Sequence, residues 1–484
     1  MEEDIVSKLI KIDIGNYNWQ SNRRFLIPKS QYSYRVSTQL DPIDSIMISA
    51  ILYQFGKKIE EKRDVESEKR VFSYRFSPTV DGGLYKDNDA WKKFWKHSLS
   101  QAKKHKFVIY IDIADFYNQI YHHIVENQLI SCGFPNEAKK SIISLLESCT
   151  QGVSRGIPIG PHFAHILAEM TLIPIDSGFK MRKYEYCRYS DDILIFCDRE
   201  NDATKIIYEV ANMLDKQQRL MMQKQKTRVF TLDEFEDKYL QMLNDNPISN
   251  DEREILAILS QKTSGNPYAK INIKDLDEEE RSKFSEEALR NLVELYLEEQ
   301  LPNYSRLRWF YRRLSQVGTD NAIEVTIENF ERLIPAISDI CHYFISAVSC
   351  SEKTIMHKTG NRIIELLNNE IVKINEFFQI SLLSLFVTNN KLNHIDKLID
   401  IYRTVPESLK RKIILASYIA GGESWIRDLK EEENKMELWN KRAYFIACSI
   451  LPRDEKKYYL KRMKYKVHTD DIMTQLIIRW SLQQ

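Results

Sequence analysis

The 484-residue chain has almost no net charge: 70 Lys and Arg stand against 69 Asp and Glu, leaving +1. A global basic bias of the kind that wraps duplexes is therefore absent, because phosphate neutralisation dominates nucleic-acid affinity. A local basic groove stays compatible with this balance. Cysteine is sparse: the seven Cys are odd in number and form no C-x-x-C pair. They fit free thiols in a reducing compartment. Uninterrupted apolar stretches are too short for the roughly 20 residues that span a bilayer. The start is charged from Glu2, so no signal peptide is expected. Together these absences predict a cytoplasmic protein with no membrane partner. A nucleotide-binding P-loop and anything like a nuclease site are missing too.

At about 100–200 residues per domain, the length predicts roughly two to four domains. Two styles of sequence divide the chain. Residues 1–240 alternate strand-like runs with amphipathic helices, an α+β pattern. Glycine concentrates there, at Gly82, Gly83, Gly133, Gly152, Gly156 and Gly160. Residues 241–278 are polar, with turn signals at Asn246-Pro247 and Asn266-Pro267, and read as a connector holding one short helix. Residues 279–484 read as helix after helix. The spacing predicts helices over Glu287–Glu298, Tyr304–Ser315, Pro335–Val348, Asn361–Asn369, Leu409–Ala420 and Leu438–Ile450. Breaks fall at Pro302, Gly318, Pro406, Gly421-Gly422 and Pro452. Short turns between helices predict stacked hairpins, an all-α solenoid like HEAT repeats, although no clean period is visible.

The run Arg188-Tyr189-Ser190-Asp191-Asp192-Ile193-Leu194-Ile195-Phe196 carries the most chemistry. Apolar β-prone segments around a polar turn predict a hairpin. Two acids at its tip repel each other, and a cation there offsets the repulsion. Mg²⁺ prefers one or two carboxylates plus substrate phosphates. The alternative is a plain Asp-Asp surface turn. A second acid, Asp112, ends the apolar run Phe107–Ile111, which reads as a buried strand. Buried charges need a partner or a metal, so Asp112 and Asp191 can jointly hold two ions for an in-line displacement. The competing reading makes Asp112 a helix N-cap, a role Asp115 also suits.

Here the sequence resembles reverse transcriptases. Asp112 with Phe116 and Tyr117 is similar to their motif A, and Tyr189-Ser190-Asp191-Asp192 to motif C. Gly156-Ile157-Pro158-Ile159-Gly160 with the helix-like run Pro161–Met170 resembles motif B. Leu220–Thr227 resembles motif D, and Arg24–Lys29 with Arg35 the fingers strands. The resemblance covers about half of the chain and implies fingers and a palm. It implies that Asp112 and Asp191, supported by Asp192, ligate two Mg²⁺ ions. It makes Tyr117 the ring under the sugar that selects dNTPs, and Lys29 and Arg35 the triphosphate contacts. Gly160 and Tyr189 fall at substrate-binding positions, and Lys226 at that of the proton donor to pyrophosphate. Without the resemblance, Tyr117 reads as helix-start core, Lys29 and Arg35 as solvated surface, and Lys226 as a charge ending a strand.

Three departures stand out. Ile159 occupies the usual Gln position before the second motif B glycine, and Ala164 the usual Ser four residues after it. Both changes remove hydrogen-bonding groups that handle nucleotide and template. Residues 229–240 lack the glycine turn of the primer-gripping motif. A reverse-transcriptase core fused to a long helical region resembles the bacterial abortive-infection (Abi) polymerases, with the prophage-encoded type nearest in size. That resemblance implies phage defence and template-independent synthesis primed from a protein tyrosine. It also implies a single-stranded DNA product attached covalently, and homo-oligomers such as trimers or hexamers. Alternatives are a templated RNA-dependent DNA polymerase of retron or intron type, and a catalytically inactive helical-repeat scaffold.

A primer hydroxyl must come from one of 25 tyrosines. Tyr17, Tyr32, Tyr34, Tyr304 and Tyr311 are candidates, and none is singled out. Trp91-Lys92-Lys93-Phe94-Trp95-Lys96-His97 suits single-strand binding by stacking and phosphate contact. Trp91, Phe94 and Trp95 share one helical face, so an apolar stripe beside a solvated basic face is the competing account. His122 and Glu126, one turn apart, predict a surface ion pair. Cys187 and Cys197, which flank the hairpin, read as core packing.

Overall fold

Strict alternation along the central strands sets the architecture of the N-terminal part. The computed structural model describes residues 2–80, 82–86, 89–243, 249–263, 269–298, 300, 302–392, 394–468 and 471–484. Six strands are present among them: β1 (Arg23–Ser30), β2 (Ser33–Gln39), β3 (Phe107–Asp112), β4 (Glu185–Tyr189), β5 (Asp192–Cys197) and β6 (Arg228–Thr231). β1 and β2 pair as a hairpin, and the other four form an antiparallel sheet in the order β4-β5-β3-β6. Ile109 and Ile111 of β3 join Ile193 and Ile195 of β5 on one face. Val108 and Tyr110 join Leu194 and Phe196 on the other. Side chains alternate across a strand, so each face needs its own cover. Phe163, Ile166, Leu167 and Met170 of the helix Phe163–Thr171 pack into the first cluster. Phe94 and Trp95 of the helix Ala90–Ala102, with Phe235 of the helix Leu232–Leu243, close the second. Fully burying one such side chain contributes about 1.5–3 kcal/mol.

The chain divides into two compact units, Glu2–Arg24 with Ser37–Asn246, and Phe25–Val36 with Pro247–Gln484. The first is mixed α/β and the second is helix-rich. Segment 25–36, expected among the fingers of the N-terminal part, belongs with the helical unit. Arg308 donates to the carbonyls of Pro28 (2.9 Å) and Lys29 (3.0 Å), and Asn375 donates to that of Leu26 (3.1 Å). Long-range side chain-to-carbonyl bonds of this kind carry no periodic signal in sequence.

In the helical unit, Tyr304–Val317, Ile337–Cys350, Glu376–Thr388, Glu407–Ala420, Leu438–Ala447 and Ile472–Gln483 pack each on the next to form one continuous row. Their interiors make a single apolar core. The breaks work as expected at Gly318, which ends its helix with φ 68°, and at Pro406 and Pro452, which precede theirs. Two expectations shift. Pro335 lies in a 3₁₀ turn, Ile334–Ala336, just ahead of the helix Ile337–Cys350. The helix expected over Asn361–Asn369 starts earlier and runs Lys353–Leu367. The connector contains a 14-residue helix, Asn250–Thr263. Its turn signals Asn246-Pro247 and Asn266-Pro267 lie outside the described residues. Phe330–Cys350 has the length and hydropathy of a membrane span, yet most of its apolar stretch is buried inside the fold, so its apolarity serves the core.

Candidate active site

β3 and β5 run antiparallel, with Ile111 opposite Ile193 and Asp112 opposite Asp192. β4 and β5 pair from Glu185–Phe196 down to Tyr189–Asp192, which leaves Ser190 and Asp191 as a two-residue loop. Ser190 takes a positive φ of 55°, as such tight hairpin loops demand of a residue that is usually Gly or Asn. Strain of this kind costs about 1–3 kcal/mol and persists where surroundings fix it. Three carboxylates thus gather at one end of the sheet. Asp115, not Asp112, stands at the start of the following helix, bonded to the side-chain amides of Asn118 and Gln119.

The electrostatics of this end are those of crowded anions. Burial first, then the charges of Asp191 and Asp112, push the Asp192 carboxyl up to about 7 against the opposing hydrogen bond from Tyr110. Tyr110, two residues before Asp112 and on the same strand face, donates its hydroxyl to Asp192. Asp191 is raised by burial and by Asp112. Lys226 lies 2.5 Å from Asp112 Oδ2. Burial works against its ammonium, but the hydrogen bond and charge of Asp112 outweigh that and raise its pKa. Among the described residues, no group of three or more His, Cys, Asp or Glu side chains closes into a ready metal cage. The donor set nevertheless fits a hard divalent ion: all are carboxylate oxygens, and ionising them together calls for added positive charge. A cavity of about 400 Å³ adjoins this end, lined by Tyr110, Lys226, Arg228 and Lys238.

A buried ion network holds the hairpin from behind. Arg188, fully buried on β4, forms a bidentate pair with Asp176 (2.8 and 2.7 Å) and also donates to Glu169 (2.8 Å). Glu169 receives Arg63 at 2.8 Å and the Ser73 hydroxyl at 2.5 Å. Ser73 Oγ in turn accepts the Ser190 backbone N–H at 2.8 Å. Burial alone would raise the Glu169 pKa, but Arg188 and Arg63 bring it below the usual range. Phe72 N–H donates to the Arg188 carbonyl, and Arg188 N–H to that of Arg70, so segment 70–72 extends the β4 edge.

The remaining predicted residues distribute unevenly. Tyr117 is half-buried, with its hydroxyl 2.7 Å from His165 Nδ1. Burial, then the neighbouring His162, lowers the His165 pKa to about 4, so the ring is neutral and stacks flat on Tyr74 at 4.0 Å. Tyr189 meets Trp91 edge-on at 5.0 Å and Tyr74 at 5.8 Å. Gly160 has φ 118°, and a Cβ there would sit 2.8 Å from Ser37 Oγ and 2.9 Å from the Thr38 carbonyl. Ile159 accepts the Thr38 N–H through its carbonyl (2.7 Å), and Ala164 is fully buried in the core. Lys29 and Arg35 are exposed and lie on the strand segment that belongs to the helical unit, outside the unit that holds the carboxylates.

One smaller expectation is corrected. His122 is buried and donates from Nε2 to the Gly156 carbonyl (2.9 Å), while Glu126 pairs with Lys139 (2.9 Å) instead. After β6, the chain enters the helix Leu232–Leu243 directly. Sequence reasoning missed Tyr110, His165, Ser73, Glu169 and Arg188. Arginine inside an otherwise apolar strand was the available signal for the last, since a buried guanidinium requires acids nearby.

Residues 27–263 match the family described as Reverse transcriptase (RNA-dependent DNA polymerase). No curated protein matches the chain. Among solved structures, telomerase from Candida albicans in complex with a TWJ fragment of telomeric RNA is similar at 13% identity and TM-score 0.34, over 72% of this chain and 68% of that chain. The Candida tropicalis telomerase with a TWJ fragment gives 12% and 0.35, over 74% and 67%. The apo form of the Candida tropicalis enzyme gives 13% and 0.35, over 84% and 70%. The chain therefore carries a reverse-transcriptase domain and is a reverse-transcriptase-like nucleotidyltransferase.

Proposed function

We propose that the protein is a Mg²⁺-dependent DNA polymerase of phage defence that consumes dNTPs without a template and starts on a protein tyrosine. The pairing of Asp112 with Asp192, with Asp191 beside them in the hairpin loop, carries the nucleotidyl-transfer reading. Asp112, Asp191 and Asp192 would hold two Mg²⁺ ions. When bound, these polarise the α-phosphate and offset charge on the leaving pyrophosphate. The Tyr117 ring, tied through its hydroxyl to His165, sets the floor for a deoxyribose. In the transfer step the tyrosine hydroxyl gives up its proton to solvent, its oxygen bonds to the α-phosphorus, and the bond from that phosphorus to the bridging oxygen breaks, releasing pyrophosphate. Lys226, kept protonated by Asp112, supplies a proton to that pyrophosphate.

Template independence is supported by the motif B geometry. Ile159 spends its carbonyl on Thr38, and Ala164 lies in the core, so neither offers a polar side chain to a template base. For priming, exposure sorts the named tyrosines. Tyr304 and Tyr311 are buried, with hydroxyls bonded to Arg332 O and Thr326, and Tyr17 donates to Asp44. Tyr32 and Tyr34 are 79% and 64% exposed and remain as nucleophiles. The row of stacked helices suits a HEAT-like scaffold for homo-oligomers, trimers or hexamers, in the cytoplasm. A templated RNA-dependent DNA polymerase of retron or intron type is the second reading, favoured by the description of the matching family.

One experiment separates these. Purified protein is incubated with labelled dNTPs and Mg²⁺ without nucleic acid, then treated with protease. Label that stays on peptide, and disappears in Asp191→Ala, is the expected result. Label only on added RNA template supports the second reading. No label under either condition leaves a helical scaffold with an inactive palm.

A further inference from the structure

A second cavity in the α/β unit, of about 480 Å³, lies between segment 66–75 and the helix Ala90–Ala102. Five cationic side chains line it, Lys69, Arg75, Lys86, Lys93 and Lys96, against one carboxylate, Glu66. That carboxylate is taken by Lys86, at 2.8 and 2.9 Å. Lys69 and Lys96 are exposed and have no ion pair among the described residues.

Arg75 forms part of the same wall and is unusual. It is 9% exposed, and its Nη2 reaches the Asp64 carbonyl (2.8 Å) and Glu60 (2.6 Å). Its Nε and Nη1 are buried with no hydrogen-bond partner. Burial and the nearby Arg63 lower its pKa, and Glu60 only partly offsets them. An unsatisfied buried donor normally costs about 1–3 kcal/mol and asks for an acceptor. Phe72 and His97 add ring surface, 5.4 Å apart. Burial and the positive charge of Lys69 keep His97 low in pKa.

This wall adjoins the edge of β4. Phe72 N–H is bonded to Arg188, and Trp91, on the cavity's helix, contacts Tyr189 of the hairpin. Lys93 and Lys96 of the Trp91–His97 run line the cavity, while Phe94 and Trp95 serve the core.

We propose that this cavity binds phosphate groups of a single nucleic-acid strand, with Arg75 as the fixed fork and Lys69 and Lys96 as mobile point charges. Guanidinium suits bidentate phosphate contact, ammonium suits looser attraction, and rings tolerate any base. The strand identity rests on the polymerase reading; the phosphate chemistry does not.

The test uses the full chain in EDTA, without dNTPs, and a fluorescein-labelled 12-nucleotide DNA, with tripolyphosphate as competitor. Lys69→Glu/Lys96→Glu alters exposed side chains only, so its melting curve should match wild type. Its affinity for the strand should fall roughly tenfold. The slope of log K against log salt should shrink by about 1.4, that is about 0.7 for each lost contact. Arg75→Lys, which keeps the charge and loses the fork, should also weaken binding. Unchanged strand affinity in both variants overturns the proposal. Strand affinity unchanged with tripolyphosphate binding lost overturns the strand in favour of a free polyphosphate. Asp191→Ala should bind the strand as wild type does, so failed catalysis and failed strand binding are separately visible.

Discussion

Asp192 concentrates the physics of the site. Its carboxyl is pushed up to about 7, above the ordinary 3.8, mainly by burial. A raised carboxyl binds its proton more tightly folded than unfolded. The stability it contributes is therefore present below about pH 4 and lost as pH rises towards 7. The protein in EDTA should melt at falling temperature between pH 5 and 8, and Mg²⁺ should restore stability most at the upper end. Asp192→Asn should flatten that slope; a slope identical to wild type would show that another group titrates. Asp112 and Asp191 were legible from position, one ending an apolar strand and the other in a polar loop. Tyr110 was legible in principle, since residues two apart share a strand face. His165 was not, because its stacking on Tyr74 joins residues 91 positions apart in sequence.

The hairpin β4–β5 is positioned by its surroundings as much as by its own sequence. The strained Ser190 is anchored through Ser73 to Glu169, and Glu169 is shared by two arginines. Removing one member of a buried ion network strands the others, at about 3–5 kcal/mol. Glu169→Gln keeps the shape and one acceptor but removes the carboxylate that Arg188 and Arg63 share, leaving Asp176 on the one and Glu60 on the other. Its melting temperature should drop by several degrees, and nucleotide incorporation should fall more than the lost folded fraction explains. Activity that merely tracks the folded fraction would make Glu169 structural alone. The hairpin, its loop and the central strands were readable because short continuous apolar runs, broken by a polar turn, mark them. The network was not, since Arg63, Ser73, Glu169 and Asp176 lie on separate elements. Helix positions in the C-terminal half were readable from three- and four-residue spacing, with ends displaced by 3₁₀ turns before Ile337–Cys350 and after Leu438–Ala447.

At the scale of the whole molecule, the polypeptide leaves the α/β unit at Phe25 and returns at Ser37, lending segment 25–36 to the helical unit. Nothing in the composition of Lys29 or Arg35 announces this, because a strand hairpin reads the same whichever core it joins. The bond that ties it down is identifiable. Half-buried Arg308 spans three carbonyls, those of Pro28, Lys29 and Pro335. Charged hydrogen bonds contribute about 1.5–3 kcal/mol each when their acceptors lose solvent, and Asn375 adds a neutral one on Leu26. Arg308→Ala should therefore raise amide hydrogen exchange along β1 and β2 while leaving exchange in β3 and β5 unchanged. Exchange that stays protected in β1 and β2 would show that Arg308 is not what holds the segment.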